Sequence, residues 1–242
     1  MNIDPIIILA GKGNMAQAMK KYCEEKGVQV VPFGSNALMP AGDFVVAVHF
    51  GSGSELPKLI EHCEAHHIPI IQGSTKLVCP FPTSSETVLV NSPNLSLPMV
   101  RLMKRLPDFL RSVGIGMEKE IVESHQKKKP DTSGTARAVA KELGIPEDAI
   151  VKIRDVGTQL SLGVPQEHLS GHAYHRFILC GQGVKIGVST DITGRNTYCE
   201  GCFTLALSLL RAKERDRVGT GDLELPKGLY QLKDLLHLLP SK

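Results

Sequence analysis

The chain contains no tryptophan and only 5% aromatic residues. That removes the stacked aromatic platform on which single-stranded nucleic acid is usually held. Net charge is also small, since 28 Lys and Arg stand against 25 Asp and Glu. Without a long basic tract, this balance points away from a nucleic-acid partner. Long apolar runs are missing too. The longest, Gly201 to Leu210, falls short of the roughly 18 residues that mark a membrane-spanning helix. Ile6 to Ala10 is too short for the apolar core of a signal peptide and follows no charged leader, so the cytosol is the expected compartment. The 6 cysteines are scattered and offer no disulfide framework. Cys199-Glu200-Gly201-Cys202 has a CxxC spacing but no second pair, and reads as small packing residues at a helix start. No metal is expected, because His62 with His66, and His168 with His172 and His175, lack acidic or thiolate companions at ligand spacing.

What is present is a chain of 242 residues, 42% hydrophobic and 22% charged, enough for one large domain or two small ones. Pro5 to Ala10 is continuously apolar, the mark of a strand buried on both faces of a parallel sheet. Gly11-Lys12-Gly13-Asn14-Met15-Ala16 follows at once. Met15, Ala18, Met19 and Tyr22 then recur at helical spacing until Gly27. A G-x-G-x-x-A turn between a buried strand and a helix is the dinucleotide fingerprint, although an ordinary strand–turn–helix would share the outline. After the second strand, Val28 to Phe33, the sequence runs Gly34-Ser35-Asn36 without the acid that usually meets a free ribose 2′-hydroxyl. That permits NADPH, and Lys12 could supply charge for a 2′-phosphate; NADH stays open. Further strands are expected at Asp43 to Phe50, Ile68 to Gln72 and Thr87 to Val90.

A second motif lies mid-chain. Glu118 to Val122 reads as a strand leading into Glu123-Ser124-His125-Gln126-Lys127-Lys128-Lys129-Pro130-Asp131-Thr132-Ser133-Gly134-Thr135-Ala136. Ala136, Val139, Ala140 and Leu143 begin a helix that Gly144 and Pro146 stop. The Ser-Gly-Thr turn offers free N–H groups at a helix N-terminus, a ready anion site. With a nearby ammonium it suits a substrate bearing two carboxylates, and His125 could move a proton near neutral pH.

This stretch resembles the signature of the 4-hydroxy-tetrahydrodipicolinate reductase family, roughly Glu-Ala-His-His-x-x-Lys-x-Asp-Ala-Pro-Ser-Gly-Thr-Ala. Glu123, His125, Lys129, Asp131, Ser133, Gly134, Thr135 and Ala136 match in order. Gln126 stands where the family has a second His, and the loop before Ser133 is one residue shorter. The resemblance implies an α/β fold: a Rossmann-type domain of residues 1–94 and 195–242, with an inserted mixed-sheet α+β domain of 95–194. It implies reduction of a cyclic dicarboxylate by NADPH or NADH, with His125 as acid/base group and Lys129 on a carboxylate. Gln126, Ser133, Gly134 and Thr135 would be the remaining substrate contacts.

Beside Gly11 to Met15, the resemblance makes His49, Phe50, Gly73, Ser74, Thr75 and Asn94 candidate neighbours of the nucleotide. His49 could equally be only a polar residue at a strand's carboxyl end, and Asn94 a turn residue. A homotetramer joined through the inserted sheets is implied as well. Two other readings share the glycine loop: a different NAD(P)-dependent dehydrogenase of a small amino-dicarboxylate, and a nucleotide-sensing protein without turnover. Three local expectations complete the analysis. Pro107 should kink or split the helix of about Pro98 to Val113. Val156 to Phe177 should be a long connection. Gly228 to Leu239 should close the chain as an amphipathic helix.

Overall fold

A computed structural model describes residues 4–34, 38–75, 77–217 and 225–240. In chain order the elements are β1 (Ile6–Ala10), α1 (Asn14–Glu25), β2 (Gln29–Pro32), β3 (Val45–His49), α2 (Leu56–Ala65), β4 (Ile70–Gln72) and β5 (Val88–Asn91). Then come α3 (Leu97–Val113), β6 (Glu118–His125), α4 (Gly134–Leu143), β7 (Val151–Ile153), α5 (Val156–Ser161), β8 (His172–Gly181), β9 (Val184–Thr193), α6 (Asn196–Arg217) and β10 (Gly228–Gln231). Two compact units result, Met1–Val100 with Asn196–Lys242, and Arg101–Arg195.

The first unit is built on a six-stranded sheet of order β10-β5-β4-β3-β1-β2, and every pair in it is parallel. The continuous apolar runs follow from this. Side chains alternate across a strand, so Ile7, Leu9, Val46 and Val48 enter one core with Met19 and Cys23 of α1 and Cys199, Cys202 and Leu205 of α6. Ile8, Ala10, Val45 and Ala47 enter the other, against Leu56, Leu59 and Cys63 of α2. Both cysteines of the CxxC spacing are fully buried packing residues.

The second unit has a four-stranded sheet of order β7-β6-β8-β9, with β6 and β7 parallel and the rest antiparallel. Ile121, Phe177 and Leu179 on one face pack with Ala136, Val139 and Ala140 of α4, and with Leu106 and Leu110 of α3. α4 ends at Gly144, which takes the left-handed conformation at φ 68°, as glycine does at helix ends.

Three expectations are corrected. α3 is not split at Pro107, since burying Leu106 and Leu110 at 2% and 1% exposure offsets one lost backbone bond. Val156 to Phe177 is no long connection: it holds α5, a 3-10 turn at Gln166–His168 and the first half of β8. Buried histidines, not aliphatic residues, occupy inward positions there, which hid the strand. The chain's last described stretch is not a helix. Gly228 to Gln231 instead pairs in parallel with Val88 to Asn91, and two 3-10 turns follow. Leu232, Leu235 and Leu239 are buried all the same, so their helix-like spacing reported burial and not helix.

Candidate active site

In the first unit the loop after β1 is shaped for close approach. Gly11 sits at φ +122°, and a Cβ there would lie 2.7 Å from the Phe50 backbone carbon and 2.8 Å from the Gly51 nitrogen. Only glycine fits. Around Gly13 nothing would meet a Cβ within 4 Å, and as N-cap of α1 it supplies no side-chain cap. The first N–H groups of α1, those of Asn14 and Met15, thus have no acceptor within the helix. Open space before uncapped donors at a dipole's positive end fits a pyrophosphate, so the residues present suit a dinucleotide. Lys12 is exposed beside them. Ser35 and Asn36, where the acidic ribose partner is missing from the sequence, lie outside the described residues.

The carboxyl ends of the neighbouring strands are tied to this loop. Phe50 N–H donates to Ala10 O at 2.7 Å, and Gly73 N–H to His49 O at 3.0 Å. A Cβ on Gly73 would strike the Phe50 ring at 2.4 Å. Ser74 Oγ donates to Gly51 O at 2.6 Å, and Thr75 beside it is exposed. His49 differs from the expectation of a nucleotide neighbour by side chain. It has no exposed surface, and its ring lies 3.5 Å from Gln72 Oε1 and 3.4 Å from Glu55 Oε1. Burial pushes its pKa down, against smaller opposing effects of Gln72 and Glu55. Asn94 Oδ1 accepts from Ser96 N–H at 3.0 Å, an Asx turn that leads into α3.

In the second unit, β6 carries Glu123 and His125 two residues apart and therefore on one face. Their side chains are hydrogen-bonded, His125 Nδ1 to Glu123 Oε2. His125 retains 9% exposure, whereas Glu123 has none. Burial by itself would raise the Glu123 pKa, yet hydrogen bonds from His125 and Arg154 bring it below the ordinary carboxylate value. The opposite oxygen of Glu123 accepts from Arg154 Nη2 at 2.6 Å. Beyond His125 the chain turns back, with Lys129 N–H donating to Gln126 O at 2.9 Å. Gln126 and Lys129 are half-buried, while Lys127 and Lys128 face solvent.

The structure gives Ser133 a task other than the expected substrate contact. Its Oγ accepts from Ala136 N–H at 3.0 Å and lies 2.9 Å from His175 Nε2, so it caps α4 from inside. Gly134 is exposed and Thr135 half-buried, and their N–H groups have no acceptor within the helix. Those two residues remain open to a carboxylate.

Sequence reasoning missed Arg154, Gln159, His172 and His175. Register places His175 opposite Glu123, with its ring 5.3 Å from that of His125. Burial, then the neighbouring His125, pushes the His175 pKa down to about 3. It is therefore neutral, and its two nitrogens bond Ser133 and Thr190. His172 Nε2 lies 2.9 Å from Ser124 Oγ, and Gln159 Nε2 donates to the His125 carbonyl at 2.7 Å. No spacing in the chain joins these residues to the loop; only strand pairing does. Among the described residues, no group of three His, Cys, Asp or Glu is placed to hold a metal ion.

A parallel sheet with a glycine-cradled helix start defines the dinucleotide-binding class, and the second unit carries an imidazole, a lysine loop and the open N–H groups of Gly134 and Thr135. Comparison with known proteins narrows this class. The family described as "Dihydrodipicolinate reductase, C-terminus" matches residues 98–236, and the chain belongs to the dihydrodipicolinate reductase family. It is 27% identical to probable 4-hydroxy-tetrahydrodipicolinate reductase 1, chloroplastic, of Oryza sativa subsp. japonica, over 96% of this chain and 78% of that one. It is also 27% identical to 4-hydroxy-tetrahydrodipicolinate reductase of Anaeromyxobacter dehalogenans, over 90% of this chain and 81% of that one. Among solved structures, dipicolinate-bound dihydrodipicolinate reductase from Paenisporosarcina sp. TG-14 shares the fold. Its TM-score is 0.61 at 15% identity, covering 96% of this chain and 99% of that chain.

Proposed function

We propose that the chain reduces 4-hydroxy-tetrahydrodipicolinate to tetrahydrodipicolinate with NADPH or NADH, in the diaminopimelate route to lysine. The observation that carries this reading is the pairing of His125 with a buried, ionised Glu123, linked through His175 to Ser133 at the start of α4, where the N–H groups of Gly134 and Thr135 follow. When bound, the nicotinamide supplies the hydride that replaces the 4-hydroxyl of the ring. Water leaves, so each hydride needs one proton. His125 supplies it from Nε2, because Nδ1 is turned to Glu123. Lys129 holds one carboxylate and steadies charge developing as hydride arrives. The helix start at Gly134 and Thr135 takes the other, and Gln126 lies along the same turn. The glycine loop, Phe50, Gly73, Ser74, Thr75 and Asn94 would border the nucleotide on the first unit.

The finer properties belong to the same reading. The chain assembles as a homotetramer through the second unit's sheet; light scattering that returned a monomer mass at micromolar concentration would remove that part. All six cysteines are free, which supports a reducing compartment such as the cytosol. Among the described residues no helix is long and apolar enough to cross a membrane. The test of activity is oxidation of NADPH coupled to freshly made product of the preceding synthase. Turnover is expected. NADPH binding with no turnover would leave the nucleotide-sensing alternative standing.

A further inference from the structure

We propose that Arg154 is the positioning residue of this site, setting the proton on His125 through Glu123 while pinning the backbone of Lys129. The proposal rests on the functional reading above and adds to it a residue that acts through Glu123 and the backbone of the loop. Arg154 follows directly on β7, the edge strand beside β6. Its guanidinium makes four bonds of distinct direction. Nη2 donates to Glu123 Oε1 at 2.6 Å and to Asp131 O at 3.2 Å. Nε donates to Lys129 O and Nη1 to Ile153 O, each at 2.9 Å. A planar fork can span these acceptors, whereas a lysine ammonium, radiating from one point, cannot. The loop from Gln126 to Ser133 is thereby anchored at its middle and near its end.

The electrostatic consequence follows from how Glu123 divides its oxygens. Oε1 belongs to Arg154 and Oε2 to His125 Nδ1. A carboxylate with no exposed surface would tend to take up a proton, and the hydrogen bonds from His125 and then Arg154 keep it ionised. The ionised carboxylate holds the hydrogen of His125 on Nδ1, so that Nε2 is the atom that exchanges protons with the outside. The groups facing His125 are few. From its own strand comes Glu123, from β8 comes His175, and from the end of β7 Arg154 acts through Glu123, while His172 bonds Ser124 on the other face of β6. From α5 the Gln159 amide holds the His125 carbonyl. His175 is neutral and donates nothing to the ring, so Glu123 with Arg154 decides its state.

Three variants and one spectrum test this. E123Q should lower kcat on the order of 10²-fold, the scale of a positioned acid–base group, and move the alkaline limb of the kcat profile to lower pH. In an H125A background E123Q should cost nothing further. R154M should move that limb the same way but less far, because Glu123 without its cation takes up a proton more readily. It should also raise KM roughly tenfold, as Lys129 loses its anchor. Nitrogen chemical shifts of the His125 ring in the nucleotide-free protein should report the Nδ1–H tautomer in wild type and a mixture in E123Q. The proposal is overturned if E123Q costs the same factor with and without His125, or if wild type carries the Nε2–H tautomer. It is overturned equally if R154M leaves KM intact. The spectrum needs no substrate and judges this proposal alone, whereas a wild type without turnover would sink the functional reading.

Discussion

Glu123 and His125 differ in what water can reach, and their tasks divide accordingly. The carboxylate is wholly buried and doubly hydrogen-bonded, so it orients; the imidazole keeps a little exposure, so it can exchange protons. A proton donor matters mainly in the transition state. His125→Ala is therefore expected to lower kcat by roughly 10²-fold or more with a smaller change in KM, measured by steady-state kinetics. Lys129→Ala should raise KM and lower kcat together, because an ammonium on a carboxylate acts in ground and transition states alike. Normal kcat in the first variant together with normal KM in the second would remove the site from this loop. Lys12 makes a separate prediction. Exposed beside the uncapped start of α1, it should favour a 2′-phosphate, so Lys12→Ala ought to weaken NADPH more than NADH in fluorescence titrations. Equal losses would show that it contacts neither 2′ group.

At the scale of elements, the turn between β1 and α1 is decided by backbone approach. Gly11 must hold a positive φ against the backbone of Phe50 and Gly51, and neither neighbour is a flexible side-chain tip that could yield. Gly11→Ala should cost on the order of 1–3 kcal/mol and weaken nucleotide binding, read out by thermal unfolding with and without NADPH. An unchanged midpoint with unchanged affinity would refute it. The glycine fingerprint was legible because strand, turn and helix follow one another in the chain. That α3 is not split at Pro107, and that the C-terminal stretch is a strand, were not legible. In both, packing or sheet pairing outweighed the local signal: leucines at helical spacing can be buried by a strand and two tight turns as well as by a helix.

For the whole molecule, acid stability follows from the buried histidines. The His175 pKa falls from 6.5 to about 3 on folding. Between those values the unfolded chain binds a proton that the folded chain refuses. Stability is thus full above pH 6.5 and falls as pH drops through that window. The loss from this residue is about 1.4 kcal/mol per pH unit, or about 2 kcal/mol at pH 5. Glu123, its pKa lowered by its partners, adds a further loss in the same direction at more acidic pH. Urea unfolding of wild type and His175→Gln at pH 7 and pH 5 checks this, since Gln keeps a hydrogen-bonding group for Ser133 without the titration. The variant should lose less stability on acidification; parallel curves would show that His175 is not the responsive group.

Two stretches of sequence were enough to indicate a nucleotide loop and an anion-binding loop, because each is contiguous and its chemistry is local. Continuous apolar runs likewise announced a parallel sheet, since strands covered on both faces have no polar side to show. Tertiary structure alone decided the partners. Arg154 lies 31 residues beyond Glu123 and Gln159 lies 34 beyond His125 in sequence, and only the pairing of β7 and β8 against β6 brings such residues to the loop. It also decided that Ser133 faces inward and that His49 is closed off, because a side chain's direction depends on which face of a strand or helix is covered. Spacing can propose a histidine, but burial and register determine which atom of it is free.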